Sequence, residues 1–325
     1  MRIFRALILA SLAVAVSGFA RGAETYQLTG TILREDGRPF LRSRAVVFLH
    51  GAVKPYFAQT AAGSDGKFKF KNVPADTYTL IVAVPRMEEL QKTIEVGPGF
   101  ADSKKRIALT VTTGKAAALE KTQVVSTHEL SIPYGARQEY SKAAERLGRG
   151  DIQGAVACLK RATEIAPQFA TAWNFLGTIA HQTRQFAQAE EYFREALRQD
   201  AGLYVALVNL GGTLLSQGKI EESLSVNQRA VAADPGDALA HAQLGLCYFR
   251  LGKLDDAEIH LKRAKVLDAG HFTNPQLYLA EIYANRGQTE AVISEIEEFL
   301  RLHPDAENAP ELRRALESLR APVER

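Results

Sequence analysis

A chain of 325 residues is long enough for two domains, and 46% apolar with 24% charged residues is the composition of a folded protein, which excludes global disorder. The formal charge of +3 divides into +3 over residues 1–23, +4 over 24–112 and −4 over 113–325. A chain cut after Ala23 is therefore near neutral, which argues against nucleic acid as a partner.

The chain opens with Arg2 and Arg5, an apolar run from Ala6 to Val16, and small residues at Gly18, Ala20 and Ala23. That is the order of a secretory signal peptide. The run falls short of the ~20 residues that cross a bilayer, so the expectation is export to the periplasm or beyond, with residues 1–23 removed and no stable membrane span afterwards. Gly18-Phe19-Ala20 suits the small-x-small cleavage rule better than Arg21-Gly22-Ala23, and the absence of a nearby Cys argues against a lipid anchor.

From Glu24 to Thr112 the apolar period is two and turn residues recur. Strands are expected at Tyr26–Leu33, Ala45–Leu49, Tyr56–Thr60, Lys67–Phe70, Tyr78–Val84, Gln91–Val96 and Arg106–Val111, with a turn at Glu35–Pro39. Within Lys67–Phe70 the two Phe share one face and the two Lys the other. Seven such strands must bury one face against a second sheet, so a small β-sandwich is expected. The segment Ser64-Asp65-Gly66, Lys67–Phe70, Asn72-Val73-Pro74 and Tyr78-Thr79-Leu80 resembles the carboxypeptidase regulatory-like domain, a prealbumin-like sandwich, over about 85 residues; Asp76 stands where that family usually has Gly. The resemblance implies a non-catalytic accessory domain. Its zinc peptidase neighbour is absent, and no HExxH spacing occurs in the chain. Starch-binding-like and fibronectin-like modules are the other readings. A glycan is a second candidate ligand, with Tyr56 and Phe57 as a platform, against which stands their use in core or edge packing.

The segment 113–135 reads as a linker. Gln123–Ser126 could pair briefly as a strand, Pro133 holds Ile132 extended, and His128 beside Glu129 is read as a solvated pair.

Beyond it the chain repeats at intervals of 34 residues, with starts at Ala136, Ala170, Tyr204 and Ala238 and a fifth near Thr273 after a one-residue shift around Gly270. Position 8 of each unit is Ala143, Gly177, Gly211, Gly245 or Ala280; position 20 is Ala155, Ala189, Ser223, Ala257 or Val292; position 27 is Ala162, Ala196, Ala230, Ala264 or Phe299. Small residues there let helices approach, and large ones such as Trp173, Leu176, Phe186 and Phe193 fill the adjacent space. Gly150, Gly218, Gly252 and Gly287 end the first helix of their units; Arg184 holds that place in the second, where the turn must differ or carry strain. This pattern resembles the tetratricopeptide repeat (TPR). The fold class expected is thus multidomain: a seven-stranded β-sandwich at 24–112, five repeats of an all-α solenoid over 136–306, and a capping helix and tail at 307–325, where Glu311–Leu319 covers Phe299. The connector or the sandwich is expected to shield Tyr134 and Tyr140. Cys158 and Cys247 lie three repeats apart and are read as two small buried hydrophobes rather than a disulfide.

In the register of that family, positions 2, 5, 9, 12 and 13 of the first helices face a groove. They include Tyr140 and Leu147; Asn174, Thr178 and His181; Val208, Leu215 and Ser216; Leu246, Phe249 and Arg250; Leu277, Glu281 and Asn285. The mixture suits an extended or helical segment of another protein, with Asn174 holding its backbone and Leu246 and Phe249 as apolar anchors; packing between repeats is the alternative for Phe249, an idle amide for Asn174. The Lys and Asn clamp with which some relatives grip a terminal carboxylate is missing, since Tyr140 and Ala144 stand in its places and only Asn209 matches one element. No nucleophile, metal or phosphate motif stands out, and His241 and His260 read as surface or packing residues. The expectation is an exported, non-enzymatic scaffold or adaptor without cofactor; a carbohydrate-binding accessory and a hydrolase with an unrecognised site are the alternatives.

Overall fold

The computed structural model describes residues 24–34, 36–38, 45–84, 90–112 and 131–320. The expected signal segment, Glu35 and Pro39 of the first turn, Gln123–Ser126 and His128–Glu129 lie outside the described residues. Two compact units divide the chain, one covering Glu24–Val226 and the other beginning at Asn227.

The first unit starts with strands β1 (Thr25–Leu33), β2 (Val46–Gly51), β3 (Phe57–Ala61), β4 (Lys67–Pro74), β5 (Asp76–Ala83), β6 (Leu90–Val96) and β7 (Arg106–Thr112). They form two sheets, β4-β1-β7 and β3-β2-β5-β6. Strand β1 is antiparallel to β4 and parallel to β7, while the second sheet is antiparallel throughout. Alternation places Leu28, Ile32, Phe68, Phe70 and Val111 from one sheet, and Val47, Leu49, Tyr78, Leu80 and Val96 from the other, in one core. Lys67 and Lys69 are exposed opposite Phe68 and Phe70, as the pleat requires. Asp76 begins β5 with its carboxylate accepting from the Thr77 N–H at 2.8 Å and lying 3.3 Å from Lys54, so a carboxylate at this place has two local partners.

Helices follow: α1 (Tyr134–Gly148), α2 (Ile152–Ile165), α3 (Ala170–Gln182), α4 (Phe186–Gln199), α5 (Tyr204–Ser216) and α6 (Ile220–Ala233), then α7 (Ala238–Arg250), α8 (Leu254–Leu267), α9 (Pro275–Asn285), α10 (Thr289–Leu302) and α11 (Ala309–Arg320). The unit boundary falls within α6. The architecture is the expected sandwich followed by helical-hairpin repeats of the α-solenoid class. Every residue at positions 8, 20 and 27 is buried, including Val292 and Phe299. The reason is steric: a Cβ on Gly177 would lie 2.6 Å from the Phe193 ring, and one on Gly245 would lie 2.8 Å from Leu261. Gly150, Gly218, Gly252 and Gly287 all take positive φ after their helices, and Arg184 takes φ 62° in the same role. The second repeat therefore keeps the common turn and carries the strain of a non-glycine residue there.

The fifth repeat, expected near Thr273, has its first helix from Pro275 behind a left-handed Asn274; proline favours the first helical turn and its ring cannot continue a helix from upstream. One expectation needs correction: Tyr134 is unshielded, with 70% of its surface exposed. Cys158 and Cys247 are both buried and not joined in a disulfide. In the second unit, Leu312 and Leu316 of α11 pack into the cluster that holds Phe299, which is the expected cap.

Candidate partner-binding site

The expected groove residues fall in both units, and each set stands by itself. In the first, α3 and α5 carry a polar ladder. Asn209 donates from Nδ2 to Asn174 Oδ1 at 3.1 Å and to Thr178 Oγ1 at 3.4 Å. His181 Nδ1 and Thr213 Oγ1 are 3.0 Å apart, with the imidazole against Phe186. Burial lowers the His181 pKa, so the ring is neutral near pH 7. Thr178 and Thr213 also donate to carbonyls one turn earlier, at Asn174 and Asn209. Asn174 is 9% exposed and Val208 3%, whereas Leu215 is half-buried and Ser216 exposed. Thr213 was not among the expected residues. Its place in the ladder depends on a partner 32 positions away, which no local pattern signals.

Tyr140 has another environment. Its ring packs on Phe169 at 5.2 Å and Phe175 at 5.6 Å, and Phe175 lies 6.2 Å from Phe57 of β3. Gly148 approaches the same strand so closely that a Cβ would lie 2.7 Å from the Phe57 carbonyl oxygen. Gln182 donates to the Gly51 carbonyl at 2.6 Å. Thus groove-register positions of the first repeat, and the last such position of the second, meet the chain's own β2–β3 hairpin. The sandwich is what faces Tyr140. Phe57 takes part in this contact while staying half-buried, and Tyr56 packs edge-on against Tyr78 at 5.2 Å beside the sandwich core, so both aromatics have packing roles.

In the second unit Phe249 is half-buried, edge-on to Tyr278 at 5.5 Å, and Leu246 is half-buried beside it in the same cluster. Arg250 is exposed. Leu277 and Glu281 are buried at 5% and 9% exposure, and Asn285 donates to the Glu281 carbonyl at 2.9 Å. Phe249 therefore performs the inter-repeat packing while retaining exposed surface. His241 and His260 form a stacked pair with their Nδ1 atoms 3.0 Å apart, and His241 Nε2 lies 3.2 Å from the Pro235 carbonyl. Nothing in their separate positions on α7 and α8 announces this pair. Burial lowers both pKa values.

Among the described residues no group of three or more His, Cys, Asp and Glu side chains is arranged to hold a metal ion. No described helix is long and apolar enough to cross a membrane.

The tetratricopeptide repeat family profile matches residues 140–204 and 208–271. The BBSome complex member BBS4 homolog of Drosophila melanogaster is 25% identical over 122 residues, covering 38% of this chain and 25% of that protein. The chain thus spans about a quarter of the length of the curated relative it matches. Among solved structures, YrrB, described as a TPR protein with an unusual peptide-binding site, is 23% identical, with a TM-score of 0.45 over 55% of this chain and 92% of that one. TTC0263, a thermophilic TPR protein of Thermus thermophilus, is 22% identical, with a TM-score of 0.45 over 57% and 98%. MamA of Desulfovibrio magneticus RS-1 is 20% identical, with a TM-score of 0.47 over 57% and 98%.

Proposed function

We propose, from a chain whose residues 140–204 and 208–271 match the tetratricopeptide repeat profile, that this protein is an exported, non-enzymatic adaptor that holds an extended or helical segment of another protein. The observation that carries the reading is the linked amide pair Asn174–Asn209 on two successive first helices, with Thr178 beside it. A side-chain amide has two donors and an acceptor with two lone pairs, so the two bonds donated by Asn209 fix the pair and leave capacity on the Asn209 oxygen and on Asn174 for a partner's peptide groups. Preorganised amides of this kind suit backbone recognition, because their ordering cost is already met in folding. Leu246 and Phe249 supply apolar surface on the second unit. The β2–β3 hairpin against Tyr140 and Gln182 narrows the reading within the first unit: the partner engages α3 and α5 rather than α1. Export rests on the order of Arg2 and Arg5, the apolar run and the small residues before Glu24. The sandwich is proposed to be a carboxypeptidase regulatory-like accessory domain, on the Asp65-Gly66 and Asn72-Val73-Pro74 motifs.

The test is photo-crosslinking from position 209 of the full chain in its native envelope, followed by affinity measurements with the identified partner. Asn174→Ala/Asn209→Ala should weaken binding about tenfold or more, since each backbone hydrogen bond is worth ~1 kcal/mol. Unchanged affinity in a folded double variant rejects the amide pair as the contact.

A further inference from the structure

On the outer face of the second sheet, β2 and β3 together present three aromatic rings. Phe48 and His50 alternate with buried Val47 and Leu49 on β2, and Phe57 lies directly across from His50 on β3. Their rings are mutually close: Phe48 to Phe57 at 6.3 Å, and His50 edge-on to Phe57 at 4.9 Å. Helix α1 covers this face without filling it. Between them lies a cleft of about 630 Å³, walled by Phe48, His50 and Phe57 on the sheet side and by Tyr140 and Glu145 on the helix side. That volume is in the range of small-molecule sites.

The lining has a definite electrostatic character. It includes four aromatic rings and one carboxylate, and neither lysine nor arginine. Burial holds the His50 pKa at about 4, so near neutral pH its ring adds no positive charge. The carboxylate of Glu145 lies 3.9 Å from Arg149, beyond hydrogen-bond distance, and both side chains are largely exposed. Such a pair is weak and yields readily to a competing cation. Ring faces carry negative potential and attract weakly hydrated cations, most strongly where water is displaced. An aromatic-walled cleft with one acid at its rim therefore discriminates by charge as well as by shape.

We propose that the cleft between the outer sheet face and α1 is a binding site for a quaternary ammonium group, with Phe48, Phe57 and Tyr140 as its aromatic walls and Glu145 as its counter-charge. The group could be carried by a free choline-like molecule or by a trimethylated lysine side chain; the chemistry recognised is the same. This site is independent of the amide pair on α3 and α5.

Titration calorimetry of the full chain tests it with three probes: choline, the uncharged isostere dimethylbutanol in which carbon replaces nitrogen, and N-acetyl-trimethyllysine amide. Choline should bind saturably and about tenfold tighter than dimethylbutanol, the ratio that one desolvated cation–π contact supports. Glu145→Gln, at an exposed position, should narrow that preference while leaving thermal unfolding unchanged. Phe48→Leu should weaken both charged probes. Tighter binding of the lysine derivative than of choline identifies the modified side chain as the source, and the reverse identifies a free small molecule. Equal affinity for choline and dimethylbutanol, a charge preference left unchanged by Glu145→Gln, or no saturable binding of either charged probe overturns the proposal.

Discussion

Arg184 shows how one residue can depart from its repeat without changing the fold. It adopts φ 62° where the corresponding residues are Gly150, Gly218, Gly252 and Gly287. An L-residue in the left-handed region carries about 1–2 kcal/mol of steric cost, so Arg184→Gly should raise the urea midpoint by the equivalent of about 1 kcal/mol. Gly177 is the opposite case. Its missing Cβ makes room for Phe193, and Gly177→Ala should destabilise by about 1–3 kcal/mol through overpacking, read in the same denaturation series. His271 supplies a pH dependence. It is 4% exposed, and its Nδ1 lies 2.8 Å from Thr273 Oγ1 and accepts from the Thr273 N–H. Burial lowers its pKa from 6.5 to about 4, against the opposing fields of Asp268 and Asp237. The unfolded chain then takes up the proton first. The His271 contribution is fully present above pH 6.5 and is lost as pH falls towards 4, by about 3 kcal/mol at 1.36 kcal/mol per pH unit. His271→Asn keeps an acceptor but not the titration, and should flatten stability against pH in that window relative to the parent.

At the scale of elements, the second and fourth helical hairpins are held by a small residue facing a large one, and the last hairpin places the bulky Phe299 where the others have Ala. Its ring is 2% exposed in the cluster with Leu312 and Leu316. Phe299→Ala should cost about 3–5 kcal/mol, because α11 cannot collapse fully into the space; hydrogen exchange in α10 and α11 should rise before that of α3 and α5. Glu258 adds an electrostatic tie within this unit. Burial alone would raise its pKa, but Lys262, Arg286 and Tyr283 outweigh that and hold it at about 2. The strands were legible from alternation alone, within one or two residues at most ends. The start of α9 was not. The connection 268–274 is longer than 166–169 or 234–237, and what it carries, the buried His271 and the Gln276 side chain donating to the Ala269 carbonyl at 2.7 Å, is set by packing rather than by period.

For the whole molecule, the two domain types are joined by contacts that no motif marks. Gly148 reads as part of a repeat turn, yet its lack of a side chain lets α1 approach the Phe57 carbonyl. Gly148→Ala should loosen that contact, with faster hydrogen exchange in β3 and little change in α3 or α4; unchanged exchange in β3 would remove Gly148 from this role. Near neutrality after residue 23 fits a function that does not depend on long-range charge steering. Export predicts that the protein recovered from the envelope fraction begins at Arg21 or Glu24, which N-terminal sequencing checks.

The sequence by itself determined the repeat period, the strand set and the identity of the packing residues. Each depends on a local periodicity, two for strands and 34 for the hairpins, that survives substitution because burial and close approach select only size and polarity. The tertiary structure decided which groove-register residues remain available. Val208, Leu277 and Glu281 are buried and Tyr140 meets the hairpin of β2 and β3, whereas Asn174 and Asn209 are held together as a part-buried pair. Those outcomes depend on side chains many positions apart in the chain. A pattern of 34 cannot encode them, because it is the same in every repeat, whereas a binding site is made by what differs between them.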